Sequence, residues 1–195
     1  PVPVELTKPH GCSTKWREKK AAHVVRETSW TQIPVTLERI DAAGVAALRA
    51  NGTRVMAVVA TAGCTATGSF DDLEAVADLC DAFADDHGPL WLHVDAAHGV
   101  AAILSPTHRP RVRGLVRARS MAWDPHKTLL LPLSAGMVLV RHQDDLTRAF
   151  SQEAPYLFGS GSAAQMWDMG PRSFQCSRRA DVLKLWVAIE RYGSD

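Results

Sequence analysis

The chain has 195 residues, enough for one domain with a sizeable core, and 46% of them are apolar, which is ordinary for a globular protein. The formal net charge is only +1, so charge gives no general attraction to nucleic acid, membrane surfaces or acidic partners. No apolar stretch approaches the ~20 residues that span a bilayer, and no signal peptide is visible, so we expect no membrane partner.

The cysteines indicate a reducing compartment. Cys12, Cys64, Cys80 and Cys176 are widely spaced and form no CxxC pair. A zinc or disulfide framework is therefore not expected, and reduced thiols in a cytoplasmic protein fit the spacing better. The sequence starts at Pro1 rather than at Met, so we expect further sequence upstream.

The first elements in chain order are a charged segment, a helix and a strand. The segment 15–25, KWREKKAAHVV, resembles a charged helix end. Residues 41–52, DAAGVAALRANG, predict a helix with Asp41 near its start and Gly52 past its end. The valine-rich run at 54–60, RVMAVVA, predicts a buried strand, which the small-residue loop TAGCTATGS follows.

The next elements alternate between helix and strand. Residues 71–86 predict an amphipathic helix whose acidic start suits the positive end of the helix dipole. PLWLHVD at 89–95 predicts a second buried strand, so this strand–helix–strand unit indicates parallel strands with a right-handed crossover. Because the strands are apolar on both sides, we expect helices on both faces of the sheet. The remaining predictions are strands at 120–124 and 136–141, a helix at 178–191 and a mobile loop at 159–165.

Polar residues follow three of the predicted strands. Residues 61–65 follow the first strand, residues 95–98 end or follow the second, and residues 124–127 follow the third. In open parallel sheets, ligands bind beyond the carboxyl ends of the strands. The three segments are therefore expected to converge at one edge of one sheet.

Asp95 and Lys127 are the main candidates for chemistry. They lie 32 positions apart (127 − 95), each just past a short apolar run, in WLHVDAAHG and WDPHKT. A pyridoxal phosphate enzyme needs a lysine amine that forms a Schiff base with the cofactor aldehyde, and a carboxylate that keeps the pyridine nitrogen protonated. A desolvated lysine is nucleophilic enough for this reaction. A buried carboxylate needs a cationic partner, which a pyridinium nitrogen provides.

Each candidate residue also has an ordinary alternative. Lys127 could be a surface lysine in a turn, and Asp95 could be a helix N-cap. Ala97 could pack on a cofactor ring or permit tight helix packing. His126 could donate to the cofactor phosphate, and Thr65 could bond to cofactor oxygens, or both could merely satisfy their turns.

Two other groups of residues suggest different chemistry. His93, Asp95 and His98 form a candidate metal site, but no second acidic or cysteine cluster lies nearby, and a core histidine at position 93 is the simpler interpretation. The arginine-rich segment 108–119 resembles a phosphate-binding patch. The near-neutral net charge and the absence of interleaved aromatic residues favour a solvated or subunit-facing surface, so no nucleic-acid partner is expected.

Five ordered motifs resemble one enzyme family. They are VVATAGCTATGSFDDLEAVADLC, WLHVDAAHG, SMAWDPHK, APYLFGSG and FQCSRRADVLKLW. Over residues 54–192 the chain resembles the group II pyridoxal-phosphate-dependent amino acid decarboxylases, which include glutamate, cysteine sulfinate, diaminobutyrate and aromatic amino acid decarboxylases. The last motif is closer to the glutamate and cysteine sulfinate branch than to the aromatic one.

The resemblance implies a fold, a cofactor and a set of site residues. The fold is the aspartate-aminotransferase-like α/β fold (fold type I), of which this chain would be the large-domain portion with a mostly parallel sheet. The cofactor is pyridoxal 5'-phosphate, with Lys127 as its Schiff-base lysine and Asp95 as the partner of its ring nitrogen. The resemblance further implies Ala97 on the ring face, His126 near the phosphate and Thr65 near the cofactor, in a homodimer with its site at the interface.

Three features depart from the family pattern. The histidine that stacks on the cofactor has no clean counterpart, the nearest residues being His10 and Lys15. The loop GSGSAAQMWDMG carries Ala163 about where the family has the tyrosine that returns a proton to Cα, and relatives that lose it can shift toward aldehyde formation. Family chains are much longer, so residues 1–195 are expected to be a partial large domain, without the N-terminal segment and the C-terminal small domain.

The sequence therefore predicts a cytoplasmic lyase that decarboxylates a small, polar or acidic L-amino acid to the amine and CO₂. Arg178 and Arg179 are candidates for binding an acidic side chain. The alternatives are oxidative decarboxylation–deamination by an aldehyde synthase on the same fold, a truncated non-catalytic scaffold, and a metal hydrolase.

Overall fold

The computed structural model describes residues 20–26, 30–35, 42–86, 88–150, 168–175 and 177–193, the first two ranges by their backbone only. Several residues and segments named above lie outside these ranges: His10, Cys12, Lys15, Asp41, Ala163, Cys176 and the predicted loop 159–165.

One six-stranded sheet forms the centre of the described fold. In space its strands follow the order β2-β1-β3-β4-β5-β6. β3, β4 and β5 are parallel to one another, whereas β1, β2 and β6 join through antiparallel pairs. The predicted site residues follow the parallel strands. The strand bounds are β1 Lys20–Arg26, β2 Trp30–Val35, β3 Val55–Thr61, β4 Trp91–Asp95, β5 Ser120–Trp123 and β6 Met137–Val140.

The first two strands differ from the sequence-based expectation. KWREKKAAHVV predicts a helix end, but residues 20–26 form a strand that pairs with both β2 and β3. The valines of this segment suit a strand that has a neighbour on each side. The sequence pattern does not predict β2. Its Pro34 is tolerated because β2 lies at the edge of the sheet.

Five α-helices accompany the sheet in the described ranges. The predicted helices at 41–52, 71–86 and 178–191 are confirmed with shorter bounds, and the structure adds two helices after β5 and β6. Short 3₁₀ turns fill much of the segment between β4 and β5. The bounds are α1 Ala42–Ala50, α2 Leu73–Ala82, α3 Pro125–Thr128, α4 Asp144–Phe150 and α5 Val182–Tyr192.

The start of α2 has a conventional cap. The Asp72 carboxylate accepts a hydrogen bond of 3.1 Å from the Ala75 N–H, which satisfies one of the free donors of the first turn. The preceding Asp71 is buried and has a different role: its carboxylate accepts a hydrogen bond of 2.7 Å from the Thr61 N–H at the end of β3. This bond fixes the loop 62–70 against the edge of the sheet where the predicted site residues lie.

The hydrophobic core lies on one face of the sheet. α1 and α2 are neighbours there, because Arg49 of α1 donates a hydrogen bond to the Phe83 carbonyl and lies 5.3 Å from the centroid of the Phe83 ring. Val45 of α1 and Leu73 of α2 are almost completely buried in the same cluster as Val58 of β3. The two helices therefore cover the same face of the sheet.

The opposite face of the sheet is more open in the described part of the chain. Along β4, Leu92 and Val94 are buried, Trp91 and His93 are half-buried, and Asp95 is exposed. This alternation gives β4 one buried face and one more open face among the described residues. It places the polar side chains of β4 on the open face of the sheet.

The arginine-rich segment 108–119 makes contacts within the chain. Arg117 pairs with Asp78 at 2.6 Å and also with Asp81, both on α2. Arg119 makes two hydrogen bonds of 2.7 Å to the buried carboxylate of Asp145 on α4. Both arginines therefore tie helices to the sheet.

The two cysteines within the described ranges differ in state. Cys80 is a free, buried thiol on α2. Cys64 is disulfide-bonded, so the expectation of reduced thiols is wrong for Cys64. No helix in the described ranges has the length and apolarity that a membrane crossing requires.

Candidate active site

The ends of β3, β4 and β5 lie at one level of the sheet. Thr61 of β3 pairs with Asp95 of β4, and Asp95 pairs with Ala122 of β5. Paired residues on neighbouring strands share a face. Asp95 therefore lies between a threonine and an alanine on the open face, at the carboxyl ends of the parallel strands.

The segment after β4 is joined directly to the segment after β5. The Asp124 N–H donates a hydrogen bond of 3.2 Å to the Ala97 carbonyl, and Thr128 Oγ1 donates one of 2.9 Å to the His98 carbonyl. These bonds hold the segments that contain Asp95 and Lys127 against each other. The convergence of polar segments that the sequence predicts is present at this edge of the sheet.

Asp95 is exposed and forms a tight local turn. Its Oδ1 accepts a hydrogen bond of 3.2 Å from the Ala97 N–H, and a 3₁₀ helix starts soon afterwards at Val100. This turn resembles the helix N-cap that the sequence predicts as the alternative role of Asp95. Among the described residues Oδ2 has no hydrogen-bond partner, so the carboxylate keeps the capacity to bind a cation.

Lys127 lies on α3 and is ion-paired. Its Nζ is 2.8 Å from Asp124 Oδ2, and the two side chains are 33% and 24% exposed. The sequence predicts a desolvated lysine, whereas Lys127 in the structure is partly exposed and paired with Asp124. Gly136 lies against this pair, because a Cβ at that position would come within 2.8 Å of Asp124 Oδ1. Because glycine has no side chain, position 136 leaves room for the carboxylate of Asp124.

His126 is held by the backbone of residue 135. Its Nδ1 lies 2.6 Å from the Ala135 carbonyl oxygen and 3.1 Å from the Ala135 nitrogen. Either tautomer of the ring can make one of these hydrogen bonds. Its Nε2 is 4.0 Å from Asp124 Oδ2, beyond hydrogen-bond distance, and remains available to a ligand.

Thr65 lies in a compact loop at the same edge of the sheet. Hydrogen bonds from Cys64 N–H to the Ser69 carbonyl (2.8 Å) and from Gly68 N–H to the Cys64 carbonyl (2.7 Å) close the loop. Thr65 lines a cleft of about 380 Å³ together with other residues of its loop, His98 and Thr128. The other four predicted site residues do not line this cleft.

Two glycines allow the loop after β3 to cross the segment after β4. A Cβ on Gly99 would lie 2.4 Å from the Ala62 carbonyl oxygen, and one on Gly63 would lie 2.8 Å from the Gly99 backbone. The Gly99 N–H donates a hydrogen bond of 3.0 Å to that same carbonyl. This close backbone approach brings the Thr65 loop beside the turn that carries Asp95.

The metal-site alternative has no support in the described residues. No group of three His, Cys, Asp or Glu side chains in these ranges is arranged to hold a metal ion. His93 instead has a hydroxyl partner, because its Nδ1 lies 2.7 Å from Ser120 Oγ.

Arg178 and Arg179 line a second, polar cleft of about 760 Å³ with Ser134, Gly136 and three other residues, which include Asp181. Arg179 donates a hydrogen bond of 3.4 Å to Ser134 Oγ. Gly136 also borders Asp124, so this cleft lies next to the Asp124–Lys127 ion pair. A basic cleft in this position can accept an anionic group.

The residues at this edge fit a cofactor that has an aldehyde, a basic ring nitrogen and an anionic phosphate. An amine at position 127 can react with the aldehyde, and an exposed carboxylate at position 95 can bind a protonated ring nitrogen. The imidazole of His126 and the hydroxyl of Thr65 are hydrogen-bond donors suited to phosphate oxygens. These side chains thus match three groups of pyridoxal 5'-phosphate: its aldehyde, its ring nitrogen and its phosphate.

An open α/β sheet with a lysine and a carboxylate beyond its parallel strand ends is the architecture of a cofactor-dependent enzyme of fold type I. The model of the pyridoxal-dependent decarboxylase conserved domain matches residues 19–195. The chain belongs to the pyridoxal-dependent decarboxylase family, whose cofactor is pyridoxal phosphate.

Curated relatives include decarboxylases of acidic amino acids. The chain is 40% identical over 164 residues to acidic amino acid decarboxylase GADL1 of Bos taurus, covering 83% of this chain and 30% of the relative. It is 41% identical over 163 residues to cysteine sulfinic acid decarboxylase of Rattus norvegicus, covering 83% and 31%. The chain thus spans less than a third of the length of these relatives.

Solved structures of related enzymes share the fold. Mouse CSAD matches with a TM-score of 0.69 at 36% identity, over 80% of this chain and 32% of that one. Oryza sativa TDC with PLP and tryptamine matches at 0.70 and 30%, over 84% and 34%. Rhodiola rosea 4-hydroxyphenylacetaldehyde synthase matches at 0.69 and 25%, over 87% and 34%. These matches confirm the aspartate-aminotransferase-like fold.

Sequence reasoning missed three residues that shape this site. Asp124 has a signal in the sequence, because a carboxylate three positions before a lysine can pair with it on one helical turn. Ser120 and Gly136 carry no such signal, since their contacts depend on the pairing of β5 with β4 and β6.

Proposed function

We propose that this chain carries the cofactor-binding part of a carboxy-lyase that converts a small acidic L-amino acid to its amine and CO₂. The proposal depends chiefly on one observation: the turn that follows Asp95 is hydrogen-bonded to the segment that carries Lys127. Membership of the pyridoxal-dependent decarboxylase family supports it independently.

Each site residue has a proposed role. Lys127 is the residue that attaches the cofactor covalently, and Asp95 stabilises the positive charge of the ring nitrogen. Ala97 lies under the ring, where its small side chain leaves room for a flat group. His126 and Thr65 donate hydrogen bonds to the phosphate and to other cofactor oxygens.

When bound, pyridoxal phosphate supplies the electron sink into which the bond between Cα and the carboxylate breaks. The negative charge of Asp95 would keep the ring nitrogen of the cofactor protonated, which lets the ring accept electrons. The chain also provides a place for the lysine amine once substrate has displaced it, since Asp124 lies 2.8 Å from Nζ and binds the free ammonium.

The substrate proposal is a small amino acid with an anionic side chain. Two relatives are decarboxylases of acidic amino acids and of cysteine sulfinic acid, compounds that carry carboxylate or sulfinate side chains. The cleft lined by Arg178 and Arg179 offers this chain two guanidinium groups beside the Lys127 ion pair. Guanidinium is the cation best suited to bind such groups with two hydrogen bonds.

Release of labelled CO₂ tests this function. The protein, supplied with pyridoxal phosphate, is incubated with carboxyl-labelled L-cysteine sulfinate or L-aspartate. We expect release by the wild type and by Arg148→Ala, and background only from Lys127→Ala. Arg148 is the control because it is an exposed cation on α4 that does not line the cleft of Arg178 and Arg179. Equal release from the two variants, or none from the wild type with any acidic substrate, would contradict the proposal.

A second candidate function is aldehyde synthesis by oxidative decarboxylation–deamination. The loop sequence GSGSAAQMWDMG has no tyrosine to return a proton to Cα, and an aldehyde synthase is among the structures similar to this chain. Parallel measurement of amine, aldehyde and peroxide separates the two reactions. Aldehyde and peroxide in equal amounts would favour the synthase, whereas amine alone would favour the simple decarboxylase.

The non-catalytic scaffold has its own test. A cofactor-binding chain becomes yellow when it takes up pyridoxal phosphate, and a competing amine removes the colour. A folded protein that is colourless after incubation with pyridoxal phosphate and removal of the free cofactor would favour the scaffold over the enzyme.

We further propose that residues 1–195 form a partial large domain within a cytoplasmic homodimer. The coverage of less than a third of each relative supports the partial domain. The apolar side chains exposed on α5, which include Leu183, Trp186 and Val187, are a surface that a second subunit can cover. Light scattering of the protein tests the dimer, and cell fractionation tests the compartment.

A further inference from the structure

His93 and Asp95 occupy adjacent rows on the open face of the sheet. In the row behind Asp95, Val59 of β3 pairs with His93, and His93 pairs with Ser120 of β5. Positions i and i+2 of a strand share a face and lie about 7 Å apart. The imidazole is thus the nearest titratable side chain to Asp95 along β4.

Ser120 fixes the orientation of His93. Its hydroxyl is buried and accepts a hydrogen bond of 2.8 Å from Trp91 Nε1, while His93 Nδ1 lies 2.7 Å away. The indole N–H can only donate, so the hydroxyl proton is free to point at His93 Nδ1. In this arrangement Nδ1 accepts, and the ring proton of neutral His93 lies on Nε2.

Trp91 is itself held in place from the other side. The guanidinium of Arg119 lies 4.9 Å from the centroid of the Trp91 ring, and Arg119 makes two hydrogen bonds to Asp145. The chain of contacts from Asp145 through Arg119, Trp91 and Ser120 therefore ends at His93. Because these contacts fix the His93 ring, protonation changes its charge while the ring stays in place.

The surroundings of His93 favour the neutral ring. Burial lowers the pKa of His93 from its ordinary value, and the nearby negative charge of Asp95 raises it by a smaller amount. β3 contributes Val59 and β5 contributes Ser120, neither of which is charged. Arg119 directly precedes β5 and lies over the Trp91 ring, and β1 places position 23, a histidine, in the same row beyond Val59.

We propose that His93 is a positioning residue for Asp95, the partner of the ring nitrogen. As a neutral imidazole held by Ser120, His93 leaves the negative charge of Asp95 free to bind the cofactor. When His93 is protonated, it competes with the cofactor for that charge and weakens cofactor binding. The inference depends on the proposed function, in which Asp95 binds the ring nitrogen. It adds a proton-linked control of cofactor binding at acidic pH.

The test is the dissociation constant of pyridoxal 5'-phosphate, measured by equilibrium dialysis between pH 5 and pH 8. The variants are His93→Gln, His93→Lys and, as a control, His142→Gln, whose side chain is exposed beyond β6. Other groups also titrate in this range, so the comparison between variants isolates the contribution of position 93.

We expect wild-type affinity to fall as pH falls and His93→Gln to remove about tenfold to fiftyfold of that fall, the size expected for the attraction between an imidazolium and a carboxylate about 7 Å apart near a protein surface. His93→Lys should bind about tenfold more weakly than His93→Gln at pH 8, because it carries a permanent cation. His142→Gln should follow the wild type. An unchanged pH dependence in His93→Gln, or equal affinity of the Gln and Lys variants, would overturn the inference.

Ser120→Ala provides a second test if His93→Lys does not fold. Loss of the hydroxyl donor favours the protonated ring, so the fall in affinity should begin at a higher pH than in the wild type. An unshifted fall would also overturn the inference. Borohydride reduction of the wild type separates the two failures: no adduct on Lys127 at any pH overturns the proposed function and this inference together, whereas an adduct with unaltered pH dependence overturns the inference alone.

Discussion

Lys127 Nζ lies 2.8 Å from Asp124 Oδ2 within a single turn of helix, and Lys184 repeats this geometry with Asp181 at 2.8 Å on α5. The four side chains are exposed to similar extents. Only the first pair lies beyond the parallel strand ends. The second pair is therefore an internal control for any effect that the ion pair alone would produce.

Removal of the Asp124 charge should weaken cofactor attachment with little effect on folding. We expect Asp124→Asn to change the free energy of unfolding by less than about 1 kcal/mol, because partly exposed ion pairs contribute little. The yield of borohydride-trapped cofactor at subsaturating concentration should fall several-fold, since the amine is no longer held at the strand edge. Asp181→Asn should leave the yield unchanged, and an equal loss in both variants would contradict this role for Asp124.

Gly136→Ala should reproduce the effect of Asp124→Asn without a change of charge. The new Cβ would lie 2.8 Å from Asp124 Oδ1, so the end of a flexible side chain must move away. We expect a small change in unfolding free energy together with a several-fold lower trapping yield. A trapping yield equal to that of the wild type would show that the carboxylate position does not matter.

Gly99→Ala should destabilise the fold. Its Cβ would lie 2.4 Å from the Ala62 carbonyl oxygen, which belongs to the backbone and cannot rotate away. We expect a loss of about 2–3 kcal/mol in urea unfolding. Gly52→Ala is the comparison, because Gly52 has φ +72° with open space around it. The new methyl group meets no neighbour there, so we expect a loss of only about 1 kcal/mol, from the left-handed backbone conformation. Equal losses in the two variants would contradict the close-approach argument.

Asp145→Asn should make stability less dependent on pH. The hydrogen bond from Arg119 holds the pKa of Asp145 below its ordinary value, so the unfolded chain binds the proton more tightly. The contribution of the pair is complete above the unfolded pKa and is lost as pH falls through the folded pKa. We expect a loss of about 1–2 kcal/mol at pH 7 that shrinks as pH falls below the ordinary carboxyl pKa of about 4. The exposed Asp144→Asn should have little effect at either pH, and a pH-independent loss in Asp145→Asn would contradict the pairing.

Cys80 should be unreactive in the folded protein. Burial raises the pKa of its thiol to about 12, so almost no thiolate is present at pH 8. Iodoacetamide followed by peptide mapping should leave Cys80 unmodified in native protein and alkylate it in urea. Rapid alkylation of Cys80 without denaturant would show that α2 is not packed as described.

Strands β3 to β6, the three longest of the described helices and the site edge could be predicted from the sequence because each depends on a local pattern. Val55–Thr61 and Trp91–Asp95 are short apolar runs with turn residues beyond them, and such runs predict strands whatever surrounds them. The polar residues that follow these runs then identify the functional edge of a parallel sheet.

The features that escaped prediction depend on contacts between distant segments. β2 has a mixed sequence that becomes a strand only by pairing with β1. The bond between Ser120 and His93 requires the register of β4 with β5, which no local pattern encodes. The exposure of Asp95 and the ion pair of Lys127 likewise depend on which helices cover the sheet.

The most direct test of the central claim is borohydride reduction of the cofactor-loaded protein followed by peptide mapping. Reduction makes the bond between cofactor and lysine permanent, so the modified residue can be read by mass spectrometry. We predict one phosphopyridoxyl group on Lys127 in the peptide that contains WDPHKT. An adduct on another lysine, or no adduct in folded protein saturated with pyridoxal phosphate, would contradict the account.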